Sequence, residues 1–236
     1  MAQITISNRD RMRESILNMQ TVRLFNEVGF LRFIPQLRRP MTVAIVGNGP
    51  IDPLHADEID AHDLVFRFNG CRNYGMSGHR TDYLVLTNTG EPARQFAFDP
   101  LALNARAVEA AGRILLARPP NLVASELRRF PDDREYWETF DPDLIGRIRH
   151  KRWTYMRAHI YRKARAVLML YGARTTDQPS TGILAIFHIA QQLRRRMQPS
   201  AITLYGFTHQ GWDRHPWSAE RQLIDDRWRG WVRRAQ

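Results

Sequence analysis

The stretch Tyr205-Gly206-Phe207-Thr208-His209-Gln210-Gly211-Trp212-Asp213-Arg214-His215-Pro216-Trp217-Ser218-Ala219-Glu220 gathers groups that move protons. Imidazole titrates near neutrality and can take a proton from a hydroxyl. His209, His215 and Glu220 are therefore the candidates for acid–base work. A single histidine is usually a surface residue or a satisfied core residue; two on one loop beyond a strand end favour a site. Zinc would need a third or fourth ligand, and His209 and His215 have no zinc-ligand spacing, so no metal or other cofactor is expected.

Two further segments could hold a ligand. Pro179-Ser180-Thr181-Gly182 opens a helix, where two hydroxyls and a run of unpaired N–H groups make an anion site. The plainer reading is an ordinary Ser/Thr cap. Gly47-Asn48-Gly49 follows an apolar run, and glycines at a strand's carboxyl end let a ligand approach the backbone. The dinucleotide pattern G-x-G-x-x-G fails, because Asp52 stands where its third glycine belongs and the next strand ends on Asn69 instead of an acid. Within Ile59–Asn69, Asp60, Asp63 and Arg67 interrupt an apolar strand and are expected to pair with one another, pinning helix to strand. Asn69, at the strand's carboxyl end, is the better ligand candidate.

Positioning these groups requires strands at 42–46, 64–68, 82–86, 113–117 and 202–205, the last closing on Gly206. Helices are expected over 51–62, 101–111 and 182–196. The segment 122–170 reads as largely helical, with breaks near Pro131 and Pro142. Strands alternating with helices predict one α/β domain over 41–236 with a mostly parallel sheet flanked by helices. Residues 1–40 form a separate basic segment. Within it, Met12, Ile16, Met19, Leu24, Phe25, Val28, Leu31 and Ile34 recur at helical spacing among arginines over 8–39. Such a helix either lies on an anionic membrane or packs on the domain behind it.

The 236 residues are 43% hydrophobic and 25% charged, which excludes wholesale disorder and a fibre. No stretch approaches the roughly 18 uncharged apolar residues of a membrane span, and the first residues have no apolar signal core, so a cytoplasmic protein is expected. Cys71 is the single cysteine and reads as a buried thiol. Lys and Arg total 35 against 24 Asp and Glu, a net charge of +11 that is almost all arginine. That balance suits a polyanionic partner, or reflects a genome that encodes arginine where others encode lysine. Arg147–Arg165, with Trp153, Tyr155 and Tyr161, could stack bases. No helix-turn-helix, zinc or RNA-recognition signature accompanies it, so nucleic acid ranks below the other readings.

The motifs, taken together and in order, resemble the animal-type sialyltransferase family. That family's V-G-N-G is matched by Val46-Gly47-Asn48-Gly49, its I-D-x-H-D-x-V-x-R-x-N by Ile59 through Asn69, and its G-x-K-T-T more loosely by Gly78-His79-Arg80-Thr81-Asp82. Its P-S-T-G is matched by Pro179–Gly182, its L-Y-G-F by Leu204–Phe207, and its His-x4-Glu by His215 and Glu220. The likeness spans about residues 41–90 and 175–221. It implies a Rossmann-like domain and a metal-independent inverting glycosyltransferase that uses a CMP-linked acidic sugar, sialic acid or a Kdo-like sugar, with a glycan or glycolipid hydroxyl as acceptor. By the same likeness, Asn48 and Asn69 would hold the phosphate and ribose of CMP, while Ser180, Thr181 and Gly182 would line nucleotide and donor carboxylate, beside Gly47, Gly49 and Gly206. His215 would be the general base, Glu220 would shape the site, and His209 would steady the leaving phosphate. One cysteine leaves no partner for the family's disulfide, which fits a bacterial-type member without an anchor, peripheral at most to the inner membrane. Two alternatives remain: a basic polyanion-binding protein, and a non-catalytic nucleotide-binding accessory member of the same fold.

Overall fold

The computed structural model describes residues 41–195 and 200–235. The amphipathic helix expected over 8–39 lies outside the described residues. Seven strands form one all-parallel sheet: β1 (Met41–Val46), β2 (Leu64–Phe68), β3 (Tyr83–Leu86), β4 (Arg113–Leu116), β5 (Trp153–Tyr155), β6 (Ser200–Tyr205) and β7 (Val232–Arg234). Their order is β5-β4-β3-β2-β1-β6-β7. The chain thus winds outward from β1 to β5, then crosses back to the other side of β1. The flanking helices are α1 (Ala56–Asp60), α2 (Gly90–Phe98), α3 (Ala105–Ala110), α4 (Pro120–Arg129), α5 (Arg134–Trp137), α6 (Asp141–Ile148), α7 (Ala158–Met169), α8 (Thr181–Arg195) and α9 (Trp217–Arg227).

The central strands read as continuous apolar runs because helices cover both faces of a parallel sheet. Every residue of β2 and β3 is buried. On one face Ala44, Val46, Val65 and Tyr205 cluster with Ile59 of α1. Farther along that face Leu84, Leu86, Ile114 and Leu116 pack with Ala107 and Val108 of α3 and Leu144 and Ile148 of α6. Arg67, in register with Val46 and Leu84, lies between the two clusters.

The polar residues of β2 and its approach do not pair with one another as expected. Arg67 donates to Ser77 Oγ at 2.8 Å, the Ser77 carbonyl at 2.7 Å and the Arg80 carbonyl at 3.0 Å. Asp60 accepts from the backbone N–H groups of His79 and Arg80 at 2.8 and 2.9 Å, and Asp63 from the N–H and hydroxyl of Thr42 at 2.9 and 3.1 Å. Backbone donors and carbonyls, more numerous than side-chain counter-ions, satisfy these charges. The motif from Asp60 to Asp82 is thus a brace for the 77–80 loop, with Gly78 required because a Cβ there would sit 2.3 Å from Asp60 Oδ1.

The segment expected to be largely helical over 122–170 contains edge strand β5, and Pro131 and Pro142 occupy helix first turns, where a missing N–H costs nothing. Helix α2, helix α9 and strand β7 were not anticipated. Trp153 and Tyr155 pack against the core, and Tyr161 is buried, so the aromatics that could have stacked bases are committed to the fold. Cys71 is buried as expected, and loss of hydration pushes its thiol up to about 12. Among the described residues no helix is long and apolar enough to cross a membrane.

Candidate active site

All seven strands point the same way, so their carboxyl ends make one rim. A cavity of about 600 Å³ opens there, over the ends of β2, β3 and β4. Asn69 follows β2, Thr87 and Thr89 follow β3, and Arg118 follows β4; Thr181 comes from the N-terminus of α8, and Trp212, Arg214 and His215 from the loop after β6. Glu91, Asp132 and Glu135 also line it, as does Tyr136, stacked on Trp212 at 5.0 Å and 19°. Of the residues singled out from sequence, Asn69, Thr181 and His215 line this cavity.

Asn69 is held in the left-handed region (φ 52°), and its Oδ1 accepts the Thr87 N–H at 2.9 Å. Asparagine tolerates that conformation better than most residues, which suits it to a sharp exit from a strand. Thr181 is placed by a clamp behind it. Buried Glu220, 2% exposed, accepts the Ser180 N–H on Oε1 at 2.8 Å and the Ser180 hydroxyl on Oε2 at 2.7 Å. Ser180 Oγ in turn accepts the Ile183 N–H at 3.1 Å, the ordinary cap anticipated as the plainer reading. Burial raises the Glu220 carboxyl to about 7, against the pull of both Ser180 hydrogen bonds. Glu220 and Ser180 shape the site from behind.

His215 lies between Trp212 and Trp217, ring centroids 4.9 and 4.8 Å away, both edge-on. Its Nδ1 is 2.6 Å from the Gln178 carbonyl, which can only accept, so Nδ1 carries the proton and Nε2 is the basic nitrogen. Loss of hydration lowers the ring to about 4, although the Gln178 carbonyl favours the charged form. At neutral pH His215 is therefore a free base. His209 is placed differently. Its Nε2 accepts from Arg234 of β7 at 3.1 Å, its Nδ1 is buried without a partner, and the residue does not line the cavity. Burial, then the Arg234 charge, lowers it to about 4.

The glycine turn packs instead of opening. Gly47 N–H donates to the Tyr205 carbonyl at 2.8 Å and Gly49 N–H to the Gly206 carbonyl at 3.1 Å. A Cβ on Gly47 or Gly49 would lie 2.5 or 2.6 Å from the Gly206 oxygen, and Gly206 itself has φ +64°. Asn48 ties this turn to the exit of β2, donating to the Phe68 carbonyl at 3.1 Å and accepting from the Arg72 N–H at 3.0 Å. Gly182 is likewise a packing glycine, where a Cβ would meet the Phe207 ring at 2.6 Å. The close approach that these glycines permit is backbone to backbone and helix to ring.

Arg118 and Asn88 escaped sequence reasoning. Asn88, fully buried, accepts the Arg118 N–H at 2.9 Å and donates to both the Arg118 carbonyl and Asp141 Oδ1 at 2.8 Å. Asp141 is held from the far side by the Tyr155 hydroxyl at 2.7 Å, and burial raises its carboxyl. The Arg118 guanidinium donates to Thr87 Oγ1 at 2.7 Å and to the Tyr136 hydroxyl, with its carbon 5.3 Å from the Tyr136 ring centre. Among the described residues no group of three His, Cys, Asp or Glu side chains comes together as a metal site.

No protein-family model matches this chain. It is 29% identical over 189 residues to the urease operon 23 kDa accessory protein of Rhizobium meliloti (strain 1021), covering 78% of this chain and 87% of that protein. Among solved structures, a mammalian sialyltransferase in complex with Gal-beta-1-3GalNAc-ortho-nitrophenol aligns with a TM-score of 0.52 at 16% identity, covering 99% of this chain and 81% of that one. The alpha-2,3/8-sialyltransferase CstII aligns at 0.43 with 12% identity, over 82% and 80% of the two chains. The first likeness shows a shared fold. The second is too low to add to it.

Proposed function

We propose that this protein is an inverting glycosyltransferase that moves an acidic sugar from a CMP-linked donor to a hydroxyl of a glycan or glycolipid. The observation that carries the reading is His215: a neutral imidazole with Nδ1 committed to a carbonyl and Nε2 basic, on the wall of a cavity that Asn69 and Thr181 also line. Attack on an oxocarbenium-like sugar centre needs a base on the face opposite the leaving group. His215 Nε2 would take the acceptor's hydroxyl proton while the hydroxyl oxygen bonds to the anomeric carbon. The bond from that carbon to the phosphate oxygen breaks, and CMP leaves with the electron pair. The Thr181 hydroxyl and the N-terminus of α8 would meet the charge that develops on the phosphate. The reading requires no metal. The sialyltransferase fold and the motif order support it.

The test is turnover of CMP-linked donors by wild type and His215→Ala. Transfer or donor hydrolysis should fall by about 10²–10⁴ in kcat with CMP affinity retained. Turnover unaffected by the change would remove His215 as the base.

A second reading rests on the likeness to the urease accessory protein. In it the same cavity binds a nucleotide or partner without chemistry. CMP binding with no turnover of any CMP-linked donor, in wild type as in His215→Ala, would favour it.

A further inference from the structure

A buried cation normally has a counter-ion, because an isolated charge is costly to desolvate. Arg165 follows that rule: its guanidinium lies 2.8 Å from Glu126, both nearly buried. Arg118 does not. It is 2% exposed, and among the described residues no carboxylate lies within ion-pairing distance of it. Its guanidinium contacts are the neutral hydroxyls of Thr87 and Tyr136 and the rings of Tyr136 and Trp137, 5.3 and 5.9 Å from its carbon, and its Nε has no hydrogen-bond partner. Buried Asp141, bound to the same Asn88 that holds Arg118, is taken up by Asn88 and Tyr155.

The position is built, not incidental. Asn88 grips both the N–H and the carbonyl of Arg118, so the backbone is fixed on both sides, while Thr87 and Tyr136 fix the fork. The residue forms part of the cavity wall. Glu91, Asp132 and Glu135 also line the cavity, and Asp133 is paired with Arg214 at 2.7 Å.

From this we infer that Arg118 is the oxyanion-reading residue of the cavity, its missing counter-charge supplied by the ligand. The inference deepens the CMP-sugar reading and rests on it for the ligand's identity. A guanidinium fork suits either anionic group of such a donor, the phosphate or the sugar carboxylate.

The experiment compares wild type with Arg118→Met by calorimetric titration of CMP, cytidine, CMP-sialic acid and inorganic phosphate. If Arg118 receives the phosphate, wild type binds CMP about 10–100-fold tighter than cytidine, and the variant binds the two alike. If it receives the carboxylate, CMP and cytidine are unchanged in the variant while CMP-sialic acid loses that factor. Either result supports the assignment and names the group. Wild-type affinities for all four probes in Arg118→Met overturn it while leaving the nucleotide reading intact. If wild type binds neither CMP nor cytidine, the nucleotide reading fails, and inorganic phosphate decides Arg118: binding lost in the variant upholds the anion site, and equal behaviour removes it. Arg118→Lys keeps the charge without the fork. It is expected to lose part of the same affinity, and it carries the comparison should Arg118→Met not fold.

Discussion

Glu220→Gln isolates the charge buried behind the helix N-terminus. In the fold the carboxyl ionises at about 7, against 4.5 for the free side chain, because burial outweighs the two hydrogen bonds from Ser180. The folded state therefore holds a proton between those values that the unfolded chain has released. Stability from this group is complete below pH 4.5, declines as pH rises, and is lost above 7. At about 1.4 kcal/mol per pH unit, ionised Glu220 costs the fold ~3 kcal/mol at pH 8. Glutamine keeps an oxygen for the Ser180 N–H and replaces the second bond by an N–H donated to Ser180 Oγ, with no charge to desolvate. The assay is urea denaturation of both proteins at pH 5 and pH 8. Subtracting one from the other at each pH cancels the histidines and every other titrating group. The variant should gain on wild type by about 2–3 kcal/mol between pH 5 and 8. If the two curves run parallel with pH, Glu220 is not a protonatable group behind the site and the argument from its burial is wrong.

Asn88→Ala removes the grip on both backbone groups of Arg118 and strands an Asp141 oxygen. It should cost about 3 kcal/mol or more by urea denaturation, far beyond an ordinary surface change. Gly49→Ala places a methyl 2.6 Å from the Gly206 oxygen and 2.8 Å from the Thr208 methyl; a destabilisation of at least ~2 kcal/mol is expected, and an unchanged thermal midpoint would contradict the packing role. His215 enters the fold with its ring lowered to about 4 from 6.5, so its contribution to stability is full above pH 6.5 and is lost as pH falls toward 4. His215→Gln should therefore flatten the stability profile between pH 6.5 and 4, a difference readable by denaturation across that range.

The inner strands were legible because β1 to β4 and β6 lie inside a parallel sheet, where both faces demand apolar side chains. Edge strands β5 and β7 were not. Trp153–Tyr155 is short and half-buried, and Val232–Arg234 carries two arginines at the sheet's margin, so neither shows an apolar run. His215, Asn69 and Thr181 could be read because each follows a recognisable strand end or opens a helix. Arg118 could not, since one more arginine carries no signal among so many. The available clue was its place, between the end of an apolar strand and Pro119-Pro120. The motif residues Asp60, Asp63 and Arg67 were legible as buried polar groups, but sequence could not show that their partners lie in the 77–80 loop and Thr42, mostly as backbone atoms.

The closed glycine turn bears on the choice of ligand. Loops that hold a pyrophosphate do so with free backbone N–H groups at the first strand's exit. Here the β1/β6 crossing is the point where the winding reverses, and a ligand is expected at that crevice in an open α/β sheet. Yet the N–H groups of Gly47 and Gly49 are spent on the Tyr205 and Gly206 carbonyls, and Asn73 Nδ2 covers the Gly49 carbonyl at 2.6 Å. Backbone closes that turn, and the cavity lies over the ends of β2, β3 and β4. Groups on its lining that suit an anion include the start of α8, the hydroxyls of Thr87, Thr89 and Thr181, and the desolvated Arg118 guanidinium. Both Arg118 and His215 line that cavity; under the proposed reading the guanidinium would meet an oxyanion of the donor and His215 Nε2 would take the proton of a hydroxyl entering from the opposite face.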